Sequence, residues 1–261
     1  MFRSIAVVTG ASSGIGAEIA KALGAAGHDV LLGYGVNAVA AKGLADRIAA
    51  EHGVRTGLVG LDLTEPELAA EQFAAAVDTF GGIDVLVNNA GVNRRAEAVD
   101  ETVEDWRRVL EVNLTSPFVL AKLAAQRMLA QGRGGRIINV TSCHEHYPIS
   151  GGSTYCVSKA GLGMLTKVMA LELAGAGITV NAVAPGETAT PMNGVPDGVD
   201  AADIHRPAIP AGRPGRPAEV AALVAHLASP AAGYTTGSSV IIDGGLGLTA
   251  AEANAQRAGQ F

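Results

Sequence analysis

The sequence predicts an α/β fold, doubly wound around a seven-stranded parallel sheet, and three observations predict it. Short apolar runs of strand length alternate with longer segments of helical period along most of the 261 residues. The short runs are apolar throughout, as strands covered on both faces are, and lack the one-sided alternation of a half-exposed antiparallel sheet. Glycine is abundant, at 34 residues, with neither a collagen period nor a low-complexity tract, which points to tight turns and close helix contacts.

The elements follow in order. Strand 5–9 leads into helix 14–26, strand 30–33 into helix 38–51, and strand 58–61 into helix 65–80. Strand 85–88 precedes one long helix from 103 to about 131, and strand 136–141 precedes a helix from about 154 to 174. Strand 179–184, helix 217–228 and strand 239–242 complete the series. Such a rhythm repeats the unit of strand, crossover helix and parallel strand. No repeat, charge block or linker divides the chain, so residues 1–261 are read as one domain. Loop 186–216, rich in proline and glycine, is long for a compact domain and is read as a substrate lid, with a plain surface excursion as the alternative. The tail, 246–261, continues past the last strand and either docks on a neighbouring subunit or frays.

Charge narrows the partners. Lysine and arginine number 19 against 25 aspartates and glutamates, a net charge of −6, so the footprint of a nucleic-acid or anionic-membrane binder is missing. The first apolar run is too short for a secretory signal, and no run of about 18 apolar residues follows. Two cysteines, Cys143 and Cys156, cannot build a disulfide framework and are read as reduced thiols of a cytoplasmic protein.

The chemistry-bearing residues cluster where strands end. TGASSGIG, residues 9–16, follows the first strand and opens the first helix. There, backbone N–H groups and a helix N-terminus can hold a pyrophosphate, and glycines permit close approach. Further candidates stand at the carboxyl ends of other strands: Asp62, the run Asn88-Asn89-Ala90-Gly91, Ser142, and Pro185-Gly186. Ligands of open α/β sheets bind at that edge. Tyr155 and Lys159, at i and i+4 of a helix, share one face. An ammonium beside a phenol stabilises phenolate and brings proton exchange nearer working pH. By itself such a pair is common on solvated helices, and that is the prevailing reading of it in isolation.

Taken together, TGASSGIG, NNAG (88–91), Asn113, Ser142, YCVSK (155–159) and PGETAT (185–190) resemble the classical short-chain dehydrogenases/reductases in order and spacing across essentially the whole chain. Among their members, the runs 142–148 and 190–194 look most like bacterial glucose 1-dehydrogenases and acetoin (diacetyl) reductases. The resemblance implies a Rossmann fold and a nicotinamide dinucleotide held by Gly10, Ser12, Ser13, Gly14, Ile15, Gly16, Asn89, Ala90, Gly91, Pro185, Gly186, Thr188 and Thr190. It places Asp62 and Leu63 near the adenine and Thr190 near the carboxamide. It makes Tyr155 the acid/base and, with Lys159, a cofactor-binding residue, Lys159 as a ligand of the nicotinamide ribose, and it makes Ser142 the hydrogen-bond partner of the substrate oxygen. Asn113 would help hold a water linking Lys159 to solvent. It also implies a homotetramer built through the two long helices.

Cofactor choice turns on the end of the second strand, where an acid would bind the adenosine 2′-hydroxyl. Tyr34 stands there, which favours NADP(H), with Asn37, Ser12 and Ser13 as neutral donors to a 2′-phosphate. The next residue, Gly35, is no arginine, so NAD(H) is the alternative. For the substrate, His144 and Asn93 join Ser142 and Tyr155 as pocket candidates, while Arg94 and Arg95 fit either the same cavity or solvated surface. His144-Glu145-His146 lacks the ligand set of a zinc site and predicts no metal. A polar pocket with few aromatics suits a small carbonyl compound or alcohol, such as a sugar, polyol or hydroxyketone. The rivals are a 3-oxoacyl-thioester (acyl-carrier-protein) reductase and a dinucleotide sensor without catalysis.

Overall fold

A computed structural model describes residues 3–196 and 198–249. Seven strands form one sheet: β1 (Ile5–Val8), β2 (Asp29–Tyr34), β3 (Thr56–Gly60), β4 (Val85–Asn88), β5 (Gly135–Val140), β6 (Ile178–Pro185) and β7 (Ser239–Ile242). Their order across the sheet is β3-β2-β1-β4-β5-β6-β7, and every pairing is parallel. The order reverses between β1 and β4, so the helices that follow these two strands leave toward opposite faces and open a crevice at their carboxyl ends.

Among the described residues, seven α-helices cover the faces: α1 (Gly14–Ala25), α2 (Ala38–His52), α3 (Pro66–Phe80), α4 (Val103–Leu110), α5 (Ser116–Gln131), α6 (Ser153–Leu173) and α7 (Pro217–Ala228). On one face Ile19, Leu23, Leu44, Ile48, Val220 and Val224 pack on Val8, Leu32 and Val87. On the other, Phe73, Leu120, Ala124, Met128 and Met169 pack on Val7, Leu86 and Ile137. The expected strands, and the expected helices but one, are present with ends shifted by a few residues.

One expected element differs. The helix expected across 103–131 is interrupted at Glu111–Thr115 by a π-helical turn between α4 and α5. One extra residue in a turn barely disturbs the apolar spacing, so the sequence pattern runs through it; such turns recur at functional sites. Asn113 lies inside this one and is fully buried.

The loop after β6 is anchored at its root. Gly215 N–H donates to Glu187 O at 2.9 Å and Ala189 N–H to Gly215 O at 2.9 Å. Arg206 Nε donates to Glu187 Oε1 at 2.6 Å. Of the tail expected at 246–261, a short 3₁₀ turn, Leu246–Leu248, is described. Residues 250–261 lie outside the described residues, and so does any docking by Phe261. Among the described residues, no helix is long and apolar enough to cross a membrane.

Candidate active site

The crevice holds a cavity of about 510 Å³ between the glycine turn and the N-terminal half of α6. Its first wall is the link between β1 and α1. Gly10 sits at φ +65, in the left-handed region that glycine enters without strain. A Cβ on Gly16 would land on the Gly10 carbonyl, so α1 approaches the turn only because residue 16 has no side chain. The end of β4 is tied to the same turn: Asn89 Nδ2 donates to Thr9 O at 2.9 Å, and Thr9 Oγ1 accepts from the Asn89 and Ala90 N–H groups at 3.0 Å. Ser13 caps α1 but gives its hydroxyl to none of the helix amides. The helix N-terminus and the Ser12 and Ser13 hydroxyls therefore face the cavity as an anion-binding donor set, which fits a pyrophosphate.

Gly16→Ala is expected to force the turn apart, because its Cβ meets backbone that cannot swing aside. The change should cost about 1–3 kcal/mol of stability and most dinucleotide binding. A melting curve and an NADPH fluorescence titration check this.

The second wall carries the acid/base groups. Ser142 follows β5, and its Oγ accepts from the His144 N–H at 3.1 Å, opening a short 3₁₀ turn over Cys143–Glu145. Tyr155 and Lys159 rise from α6 into the same cavity, with Lys159 Nζ 5.8 Å from the Tyr155 ring centroid. Lys159 is 3% exposed and donates to Val140 O at 3.0 Å. Gly91 stands beneath: a Cβ there would lie 3.4 Å from Lys159 Nζ and 3.2 Å from Asn113 Oδ1. Asn113 is held from three sides, accepting from Val92 N–H at 2.8 Å and donating to Val92 O at 2.9 Å and Ser158 Oγ at 3.1 Å.

Burial governs the titrations. Desolvation lowers the Lys159 ammonium from its ordinary 10.5 to about 8, while the Glu145 carboxylate pulls the other way. The Tyr155 phenol is raised above its ordinary value, again by desolvation first, with the Ser142 hydrogen bond opposing. The shift runs opposite to the lowering expected from the neighbouring ammonium, which stands 5.8 Å from the ring centroid and is not among the groups acting on the phenol. Desolvation also lowers His144 and raises Cys143, so the imidazole is neutral and the buried thiol protonated at neutral pH.

The cavity gathers most of the residues singled out from sequence. Gly10, Ser12 to Gly16, Asn89 to Gly91, Asn93, Ser142, His144, Tyr155, Lys159, Pro185, Gly186, Thr188 and Thr190 all line it. Asn113 stands directly behind. Four others lie outside it. Tyr34 ends β2 and covers Gly60 of β3. Asn37 caps α2, its Oδ1 accepting from Ala40 N–H at 3.0 Å. Asp62 is turned onto Thr64, accepting from its hydroxyl at 2.6 Å, and the Leu63 carbonyl accepts from Ser116 Oγ at 2.8 Å.

The 3₁₀ turn also separates the His-Glu-His run. His144 lines the cavity, whereas Glu145 turns toward α6 and occupies the notch left by Gly163, where a Cβ would strike its carboxylate. Glu145 Oε2 accepts from Ser239 Oγ at 3.0 Å, and His146 Nε2 lies 3.1 Å from that same hydroxyl. Sequence reasoning missed Glu145 as the carboxylate acting on Lys159; the Gly163 notch that admits it resembled a plain helix contact. It also missed Thr141, Ile149, Glu187 and Met192 as lining residues.

Comparison with known proteins accords with this geometry. A family model described as Enoyl-(Acyl carrier protein) reductase matches residues 10–247. The chain belongs to the short-chain dehydrogenase/reductase family and is an oxidoreductase. It is 44% identical over 244 residues to an uncharacterized oxidoreductase, YohF, of Escherichia coli, covering 94% of this chain and 96% of that one. The crystal structure of acetoin dehydrogenase YohF from Salmonella typhimurium superposes with a TM-score of 0.89 at 42% identity, covering 95% of this chain and 97% of that one. A short-chain dehydrogenase from Burkholderia cenocepacia, solved in complex with NADP, superposes at 0.85 with 37% identity, covering 94% and 98%.

Proposed function

We propose that the chain interconverts a carbonyl and a secondary alcohol on a small polar substrate, with NADP(H) as cofactor and Tyr155 as acid/base. The convergence of the Tyr155 phenol, the Ser142 hydroxyl and the Lys159 ammonium on the cavity that begins at the glycine turn carries this reading. The turn and α1 would hold the pyrophosphate, Gly91, Pro185, Gly186, Thr188 and Thr190 the nicotinamide half, and Lys159 the ribose. When bound, the nicotinamide exchanges a hydride with carbon. Tyr155 delivers a proton to the carbonyl oxygen in reduction and removes it in oxidation. Ser142 donates a hydrogen bond to that oxygen. Lys159 supplies a positive charge beneath the phenol, and Asn113 fixes the Val92 backbone against which that corner is packed. The preference for NADP(H) is supported by Tyr34 in place of an acid and by the relative solved with NADP.

The chain acts as one domain, with loop 186–216 closing over the substrate. An apolar stripe of Val157, Met164, Val168 and Leu171, exposed along α6 beside Phe118 and Leu129 of α5, supports assembly through these helices into a homotetramer. Two unpaired cysteines suit a reducing, cytoplasmic setting.

The pH dependence tests the acid/base assignment. Below about 8 Lys159 is charged and Tyr155 protonated, the state that reduction needs, so reduction should be level up to about pH 8 and fall above it. Alcohol oxidation needs phenolate and should climb with pH up to about 8, where Lys159 still carries its charge. Initial rates at 340 nm, with NADPH and diacetyl in one direction and NADP⁺ and acetoin in the other, read both limbs; parallel profiles in the two directions would refute the assignment. The acyl-thioester reading is favoured by the description of the matching family model. Turnover of acetoacetyl thioesters well above that of diketones would establish it instead.

A further inference from the structure

Two adjacent arginines follow the NNAG run, and the structure gives them different surroundings. Arg94 is committed: its Nε donates to Glu101 Oε1 at 2.8 Å, and a terminal nitrogen lies 2.9 Å from Asp105 Oδ2. Arg95 lines the catalytic cavity instead. Its position is fixed by the backbone, since Ala96 bridges Gly152 and the Ala96 N–H donates to Gly151 O at 3.0 Å. Its guanidinium makes one described hydrogen bond, from a terminal nitrogen to Ser150 O at 3.3 Å, and no carboxylate lies within ion-pair distance among the described residues. A guanidinium has five donors, so most of this fork is uncommitted.

The remaining charges of the cavity sharpen the point. Lys159 sits at the floor, bonded to Val140 O. Glu187 is the carboxylate among the lining residues, and Arg206 neutralises it at 2.6 Å. An incoming substrate therefore meets a cation at the mouth with no fixed counter-charge, although the chain as a whole carries −6. The charge of Arg95 reaches the interior, where it acts on both the His144 and Tyr155 rings.

We propose that Arg95 is a substrate-anchoring residue and that the substrate is a small oxo- or hydroxy-anion, its carbonyl or alcohol at Ser142 and Tyr155 and its carboxylate or phosphate on Arg95. The guanidinium fork donates two parallel hydrogen bonds to either anion, whereas a neutral diketone leaves it unused. This assignment rests on the carbonyl-reduction reading above and narrows it.

Matched probes test it. With NADPH, 4-oxopentanoate is compared with its methyl ester, and dihydroxyacetone phosphate with dihydroxyacetone, in the wild type, Arg95→Gln and Arg95→Lys. The wild type should favour the anion by about 10-fold in kcat/KM, a modest factor because the arginine is solvent-exposed. That ratio should fall to near one in Arg95→Gln, recover in part in Arg95→Lys, and shrink with added salt. Whichever pair shows the larger ratio identifies carboxylate or phosphate. An anion-to-neutral ratio near one in the wild type, or one unchanged in Arg95→Gln, overturns the proposal. Should no probe be reduced, the reduction reading fails separately. The subsite is then read from melting curves: a Tm rise with 4-oxopentanoate in the wild type but not in Arg95→Gln supports it, and an equal response of both proteins overturns it.

Discussion

Tyr155→Phe is expected to lower kcat for carbonyl reduction by about 1000-fold, within the 100- to 10,000-fold range that a positioned general acid supplies. The loss should fall on kcat rather than on cofactor affinity, because the phenol faces the substrate end of the cavity while the glycine turn forms its other wall. Stability should change little. Removing the hydroxyl relieves the desolvation that raises this phenol, and Ser142 keeps its bond from the His144 N–H. Stopped-flow absorbance at 340 nm, NADPH fluorescence quenching and a melting curve separate the three quantities. A kcat within tenfold of wild type would remove Tyr155 from the chemistry, and a lost fluorescence signal would make it a cofactor ligand instead. Among the described residues lining the cavity, His144 is lowered by burial, Cys143 is raised, and the Lys159 ammonium is tied to Val140 O, so none of these three stands in for the phenol.

Much of this site was legible in the sequence because its parts depend on backbone placement. A glycine turn between a strand and a helix, a polar residue at each strand end, and a helical i,i+4 pair need only the fold to bring them together. What escaped depends on rotation within a single turn. The π turn at Glu111–Thr115 leaves the apolar period of the surrounding helix almost intact, so only Asn113, a poor helix former in an interior position, hinted at it. The 3₁₀ turn at Cys143–Glu145 moves successive side chains by about a third of a revolution, sending His144 to the cavity, Glu145 to α6 and His146 toward β7. No period in a three-residue run reports that. Arg94 and Arg95 are a similar pair: one salt-bridged and one facing the cavity, a distinction set by where Glu101, Asp105 and the Ala96–Gly152 bridge lie in space. At the end of the second strand, Asn37 uses its side-chain oxygen to cap α2, a role set by the local turn that the sequence pattern does not report.

Lys159→Met is expected to abolish most activity and to make the protein more stable. The buried ammonium is lowered from 10.5 to about 8, and at about 1.4 kcal/mol per pH unit the fold bears about 3 kcal/mol for keeping that charge out of water. Methionine fills nearly the same volume without the charge. It forfeits the hydrogen bond to Val140 O and leaves Glu145 without its cation, so the net gain should be nearer 2 kcal/mol, or roughly 5 °C in Tm for a chain of this size. The sign of the pH effect is definite. Below about 8 both folded and unfolded chains hold the proton and the penalty is complete. Between about 8 and 10.5 only the unfolded chain holds it, so wild-type stability rises with pH relative to the variant, and above 10.5 the difference has gone. Denaturation of both proteins at pH 7 and pH 10 reads this directly. A variant less stable than the wild type at pH 7, or a difference that does not shrink toward pH 10, would mean that Lys159 is held by its partners as a structural ion. Activity should fall by about 100-fold or more regardless, because a thioether cannot stabilise charge beneath Tyr155. A residue that weakens the fold while it serves the reaction is a trade-off seen where a site needs a desolvated charge.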